Sequence, residues 1–332
     1  MKIVWAFVVG FASAALVLAL LPIPERARYD TLHQDAARLK YVYERIVDSR
    51  TPIDIAFVGT SHIMNGVDDQ DIEQRLRDRR IDLRVANLGV IMPGRDLQLL
   101  MVRKLVDKKA PRLIVLEVDE HEPPYSHALA PYVEELTDIF CCKFFLDTRF
   151  PASFLLFLKR QAVNVPLLFR AQQAASPEAI DDFGWLPIEH TWSAGNSLIP
   201  ASASPSGLQQ RLKEWAYRKT AWYGIDVVKR IKNLAQENAI DIAFLYLPEY
   251  AYTKRSSVDL QYYQALGPMI FPPQSVVANS LNYADGVHLN AGGARALAPF
   301  LADQIAALVT TTPAPVIPDQ KLSSEDALRR AK

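Results

Sequence analysis

The stretch Ile53-Asp54-Ile55-Ala56-Phe57-Val58-Gly59-Thr60-Ser61-His62 decides how this chain reads. Ile53 to Val58 is a short, mostly apolar run closed by a glycine, the pattern of a buried strand. Such a strand suits a parallel sheet covered on both faces. The residues after Gly59 then fall at the strand's carboxyl end, where open α/β sheets place their ligands. Ser61 stands there. If a helix follows, its free backbone N–H groups also favour an oxyanion near that serine. A serine hydroxyl is a weak nucleophile until a neighbouring base activates it. Gly-x-Ser is also common, and a serine at this point equally serves to cap the following helix.

Outward from this strand the pattern alternates. Asp68 to Arg80 is charged, with Ile72 and Leu76 on one face, and predicts a helix. Leu83 to Leu88 predicts a second strand, Asp96 to Lys109 a helix with Leu97, Leu100, Met101 and Leu105 inward, and Leu113 to Val118 a third strand. The alternation stops between about 122 and 207, a stretch rich in aromatics, prolines and serines. It resumes with a long helix over roughly Leu208 to Asn238, a strand at Ile242 to Leu247, a helix near Leu260 and a last helix from Ala291 to Val309. Apolar strands separated by amphipathic helices imply a three-layer α/β sandwich with a mostly parallel central sheet.

The ends differ from this body. Ile3 to Leu21 carries no charge and is almost wholly apolar. Its length approaches the roughly 20 residues that cross a bilayer as a helix. The run ends in Ala-Leu-Leu-Pro-Ile-Pro, a poor cleavage site. The expectation is a retained transmembrane anchor over 1–24, a connecting helix over 25–52, an α/β domain over 53–309 with an insertion at about 122–207, and a disordered tail over 310–332. A single amino-terminal anchor of this kind usually leaves the body on the extracytoplasmic side.

Composition excludes several classes. Lys plus Arg and Asp plus Glu each number 37, so the formal net charge is zero. A neutral chain has no overall electrostatic reason to seek nucleic acid. The two cysteines, Cys141 and Cys142, are adjacent, which suits neither a disulfide framework nor metal-ligand spacing. Asp119, Glu120 and His121 alternate in direction along a strand and make a poor metal site. Neither a metal nor a cofactor is expected.

The second chemical element is Asp285-Gly286-Val287-His288-Leu289-Asn290, just before the last helix. An Asp and a His three residues apart fit one turn. The carboxylate can then hold Nδ1–H and leave Nε2 for a serine, the division of labour in Ser-His-Asp catalysis. A helix entry rich in Asp and Asn predicts the same residues as caps.

Taken together, Ser61 after the first strand, Gly89 in Asn87-Leu88-Gly89 after the second, and Asp285–His288 before the final helix resemble the SGNH, or GDSL-like, hydrolase superfamily. The resemblance covers roughly 53–121 and 208–308. It implies a flavodoxin-like sheet, Ser61 as nucleophile, His288 and Asp285 as its catalytic partners, and the Ser61 and Gly89 N–H groups as oxyanion donors. Two departures stand out. Thr60 replaces the aspartate of the GDS signature. The third strand ends Leu116-Glu117-Val118-Asp119-Glu120-His121, without the asparagine that the family usually places there. Asn65 is the candidate substitute, and His62, Glu120 and His121 are candidate substrate contacts alongside it.

With the amino-terminal anchor, the chain looks like divergent SGNH-like proteins of bacterial envelopes. That resemblance implies an acyltransferase or esterase acting on acyl groups, acetyl foremost, of a surface glycan or glycolipid, with a membrane-embedded O-acyltransferase as a candidate partner. The competing expectation is a catalytically silent module of the same fold that binds polysaccharide or scaffolds an envelope complex. The basic, aromatic stretch Phe140 to Arg170 fits either a bilayer surface or a helical hairpin completing the core.

Overall fold

The computed structural model describes residues 2–32, 36–119, 122–138, 149–169, 180–192, 222–250 and 258–311. Five strands form one parallel sheet in the order β2-β1-β3-β4-β5. They are β1 (Ile55–Val58), β2 (Val85–Asn87), β3 (Leu113–Glu117), β4 (Asp241–Leu245) and β5 (Met269–Ile270). The register sets Phe57 beside Asn87 on one side and beside Val115 on the other. This is the doubly wound, flavodoxin-like order, and it fits the SGNH-type fold expected from the sequence.

Twelve helices are used below: α1 (Lys2–Leu20), α2 (Glu25–Asp30), α3 (Ala37–Val47), α4 (Ser61–Gly66), α5 (Asp69–Asp78), α6 (Arg95–Lys108), α7 (Ala130–Val133), α8 (Phe150–Asn164), α9 (Trp222–Glu237), α10 (Val258–Leu266), α11 (Gln274–Val277) and α12 (Ala291–Thr311).

Each strand feeds two cores because successive side chains point to opposite faces. Ala56, Val58, Ile114, Leu116, Ile242 and Phe244 face a core completed by Val42 and Ile46 of α3, Val102 and Leu105 of α6 and Val228 and Ile231 of α9. Ile55, Phe57, Leu113, Val115, Ala243 and Leu245 face the other, with Ile72 and Leu76 of α5 and Leu297, Leu301 and Ile305 of α12. Burial on both faces is why these strands read as unbroken apolar runs.

Three expectations shift. The connecting segment forms two helices, α2 and α3, rather than one. The last helix runs to Thr311, into the stretch read as tail; residues 312–332 lie outside the described residues. The amino-terminal run is helical as expected, but the membrane-spanning reading is corrected. Among the described residues, no helix is long and apolar enough to cross a membrane. α1 has 19 residues, which rise about 28 Å. Its end is engaged by protein: Ala19 is buried with Phe157 and Leu158 of α8. Elsewhere Val4, Trp5, Val9, Phe11, Leu16 and Val17 stay exposed.

The insertion is described in pieces. Within the stretch Phe140 to Arg170, α8 and a 3-10 turn at Val165–Phe169 are described, and 140–148 and Arg170 lie outside the described residues. The segment 180–192 has no regular structure and runs from the end of β2 and the start of α5, where Gly184 packs on Asn87 O and bonds Asp69, to the loop before α12. The Leu186 N–H donates to Met64 O at 3.0 Å, the Ala291 N–H to Ile188 O at 2.9 Å and the Trp192 N–H to Tyr283 O at 2.7 Å.

Candidate active site

β1 and β3 are neighbours, and the chain leaves them for opposite sides of the sheet. The crevice outside their carboxyl ends is the switch point where doubly wound sheets bind ligands. Gly59 makes the exit from β1 tight. A Cβ there would lie 2.3 Å from Glu117 Oε2 and 2.4 Å from Ile63 Cγ1, so only glycine fits beside β3. Thr60 follows in extended conformation and caps α4, its hydroxyl accepting from the His62 N–H at 3.3 Å. Ser61 is thereby the first residue of α4, with its side chain at the mouth of the crevice.

The loop before α12 supplies the other half. Tyr283 and Leu289 form an antiparallel bridge, and the Ala284 N–H donates to His288 O at 2.9 Å, so the chain doubles back on itself. Asp285 Oδ1 accepts from the N–H groups of Val287 and His288, each at 2.7 Å. Asn290 Nδ2 donates to Leu281 O at 2.8 Å and Tyr283 O at 3.1 Å, while Asn290 Oδ1 accepts from the Gly293 N–H at 2.9 Å and starts α12.

The two halves meet. Ser61 Oγ lies 2.8 Å from His288 Nε2, and His288 Nδ1 lies 2.9 Å from Asp285 Oδ2. With Nδ1–H donating to the carboxylate, Nε2 is the acceptor facing the serine hydroxyl. Burial alone would raise the Asp285 carboxyl. The His288 side chain and the N–H groups of His288 and Val287 outweigh burial and hold it below the ordinary aspartate range. A carboxylate kept ionised at Nδ1 favours the imidazolium that forms when Nε2 takes a proton.

A second histidine–carboxylate pair lies alongside. His62 Nδ1 is 2.9 Å from Glu117 Oε1. Glu117 is 3% exposed, and its carboxylate also accepts from the Thr60 hydroxyl at 3.0 Å and from the Thr60 N–H. The His62 and His288 rings stand edge to face, 5.5 Å between centroids. Burial disfavours the His62 cation, but the hydrogen bond and charge of Glu117 prevail and raise its pKa above the ordinary histidine value. Glu117 is held below the ordinary glutamate value for the matching reason, His62 overcoming the effect of burial.

Ser61, His62, Glu117 and His288 share a cavity of about 440 Å³, walled by Met92, Pro93, Val118, Tyr246 and Leu247 and rimmed by Asp119 and Glu249. Met92 has φ +69°, a left-handed conformation uncommon for a side chain of this size and of the kind that gathers at functional sites.

Other candidates fall elsewhere. The Gly89 N–H, expected as an oxyanion donor, instead donates to Asn87 Oδ1 at 3.0 Å in the buried interior. Gly89 is small for packing: a Cβ would lie 2.4 Å from Met64 N and 2.8 Å from Thr60 O, against the backbone of α4. Asn65 is also corrected. It is 6% exposed and donates to Leu186 O at 2.8 Å, which ties the insertion to α4 rather than reaching substrate. Glu120 and His121 lie outside the described residues. Among the described residues no group of His, Cys, Asp and Glu is arranged to hold a metal ion. Glu117 and Thr60 had no assigned role in the sequence reading. The signal was there: an acid ending a strand whose other residues are all apolar must find a partner when buried.

No protein-family profile matches the chain, and no curated protein matches it. The solved structures similar to it include two from Bacteroides. One is a candidate acylhydrolase from Bacteroides fragilis NCTC 9343, with 12% identity, a TM-score of 0.35, and coverage of 83% of this chain and 99% of that one. The other is a GDSL-like lipase from Bacteroides thetaiotaomicron VPI-5482, with 13% identity, a TM-score of 0.33, and coverage of 82% and 100%.

Proposed function

We propose that the chain is a serine acyl-transfer enzyme, an esterase or acyltransferase of the SGNH type, that moves or removes acyl groups on a cell-surface glycan or glycolipid. The observation that carries this reading is the chain of contacts Ser61 Oγ–His288 Nε2–Asp285 at 2.8 and 2.9 Å, opening on one cavity. Residues 227 positions apart in sequence meet at hydrogen-bond distance.

In the proposed reaction the Ser61 proton passes to His288 Nε2 as Oγ bonds to the ester carbonyl carbon. The carbonyl π pair moves onto oxygen and gives a tetrahedral oxyanion. The Ser61 N–H, at the first position of α4 and without an intrahelical acceptor, is a donor for it. Collapse expels the alcohol, which takes the proton from His288, and leaves acyl-Ser61. Water or a sugar hydroxyl then gives its proton to His288 as its oxygen bonds to the acyl carbon, and collapse breaks the bond to Ser61 Oγ, which takes that proton back from His288. The exposed apolar side chains of α1 are proposed to attach the protein to the extracytoplasmic face of a membrane, where aromatic and aliphatic groups sit favourably, beside an embedded O-acyltransferase.

The test is labelling of the full-length protein in detergent with a fluorophosphonate. The wild type is expected to react and Ser61→Ala not to. Equal labelling of the two would remove Ser61 from the scheme. A second reading, a silent binding module, is favoured by one observation: the Gly89 N–H is already engaged, and β3 ends without a side-chain amide. Polysaccharide binding with no labelling, unchanged in His288→Ala, would establish it.

A further inference from the structure

Resting on the serine acyl-transfer reading, we infer that His62, held by Glu117, is a cationic oxyanion donor that takes the place of the absent side-chain amide. The need for it is specific. A tetrahedral oxyanion requires donors, and here the Gly89 N–H is spent on Asn87 Oδ1. The remaining backbone donor, the Ser61 N–H, leaves that charge half served.

His62 is placed to supply the rest. It follows the nucleophile directly and lines the same cavity as Ser61 and His288. Its Nδ1 is occupied by Glu117 at 2.9 Å, so Nε2 is the ring nitrogen left for a ligand. The ring stands edge to face with the imidazole that contacts Ser61 Oγ, 5.5 Å between centroids, so both histidines border the cavity that a group bonded to Ser61 would enter. His288 must be neutral to take a proton. His62 must be charged to give a strong hydrogen bond.

The surroundings support that charge state. The groups that face His62 are Glu117 at the end of β3, Asp119 just beyond it and Glu249 after β4, all acidic and all favouring the cation, with the His288 ring from the loop before α12. Glu117 in turn is fixed by both the N–H and the hydroxyl of Thr60. This gives Thr60 a purpose at the position where the family signature has aspartate: its hydroxyl adds a donor for Glu117 to the backbone N–H, where an aspartate would set a second carboxylate against it. His62 neither gains nor loses a proton in the reaction; it donates a hydrogen bond that shortens as negative charge grows on the carbonyl oxygen.

The experiment compares fluorophosphonate labelling rates and acetyl-ester hydrolysis across pH for full-length wild type, His62→Ala, His62→Gln and Ser61→Ala. Loss of one oxyanion donor costs about 10²- to 10³-fold in rate. His62→Ala is expected to fall by that amount with KM little changed. His62→Gln, a neutral donor of similar reach, is expected to recover part of it. In wild type the rate is expected to fall as pH rises through the His62 pKa; in His62→Gln this alkaline fall disappears. Wild-type rates in His62→Ala, with Ser61→Ala inert, would overturn the His62 assignment and leave the triad standing. An alkaline fall that persists in His62→Gln would also overturn it. Labelling of Ser61→Ala at the wild-type rate would instead sink the parent reading.

Discussion

The Gly184 N–H donates to Asp69 Oδ2 at 2.8 Å, and so binds the insertion to the first residue of α5, one short turn beyond α4, which begins at Ser61. The Trp185 N–H reaches Asp69 Oδ1 at 3.2 Å, and the Asn87 N–H reaches Oδ2 at 2.8 Å. One carboxylate therefore joins α5, β2 and the segment 180–192. That segment continues to the loop carrying His288, so the two halves of the site share a common brace.

The brace carries a pH signature. Burial pushes the Asp69 carboxyl from 3.8 up to about 6, against the pull of the Gly184, Asn87 and Trp185 N–H groups and of Arg38. A folded pKa above the unfolded one means that the folded state holds its proton longer. The associated stability is full below 3.8 and is lost as pH rises through about 6. A shift of this size corresponds to on the order of 3 kcal/mol. Urea unfolding of wild type and Asp69→Asn between pH 4 and pH 7 checks it. The difference between the two curves is expected to change across this range; parallel curves would remove Asp69 as its source.

Gly89 makes a prediction that separates packing from catalysis. In Gly89→Ala the new methyl would meet backbone atoms of Met64 and Thr60, which cannot rotate away. The expected cost is about 1–3 kcal/mol of stability. α4 must also shift and carry Ser61 with it, and a displacement of about 1 Å at a reacting group can cost ~10²-fold in rate. Labelling should slow even where the variant is fully folded by circular dichroism. A variant with wild-type Tm and wild-type labelling would show that the close approach of α4 to β2 is not needed.

These two residues mark how far the sequence could be read. Strands β1 to β4 were legible because burial on both faces leaves unbroken apolar runs, and Ser61, Asp285 and His288 were legible from their places at strand and helix ends. β5 was not: two residues, Met269 and Ile270, carry no periodicity. Asn65 and Gly89 were misassigned for a shared reason. Each is a polar or small residue close in sequence to the site, and sequence does not reveal which backbone group a buried donor will satisfy. Asn65 went to Leu186, 121 positions away. Glu117 was passed over because its partners, Thr60 and His62, lie on a different strand exit and come together only in the sheet.

In the proposed mechanism Asp285 orients His288 through the 2.9 Å contact at Nδ1, and its loss has a distinctive signature. Asp285→Asn keeps the shape but offers an amide to Nδ1, favouring the wrong imidazole tautomer. In the serine-protease triad the equivalent change lowers kcat about 10⁴-fold. A drop of that order in labelling rate is expected here, with the variant binding a substrate analogue as the wild type does. A loss of tenfold or less would mean that the loop, through the Val287 and His288 N–H contacts, orients His288 without the carboxylate.

The pair His62–Glu117 should stabilise the fold in a window set by two opposite slopes. His62 is raised above 6.5, so its contribution is fully present below 6.5 and is lost as pH climbs through its folded value. Glu117 is lowered beneath 4.5, so its contribution is present above 4.5 and is lost as pH drops through its folded value. The pair is therefore most stabilising between these limits and weakens on both sides. Glu117→Gln removes the acid slope and weakens the alkaline one, since the amide does not titrate and only Glu249 and Asp119 are left to favour the cation. His62→Gln removes the alkaline slope directly, and with it the partner that depresses Glu117, so the acid slope should move to higher pH. Unfolding midpoints measured from pH 4 to pH 9 distinguish these cases. An alkaline slope that survives in both variants would place its origin in another group, and would leave His62 without the charge its proposed role requires.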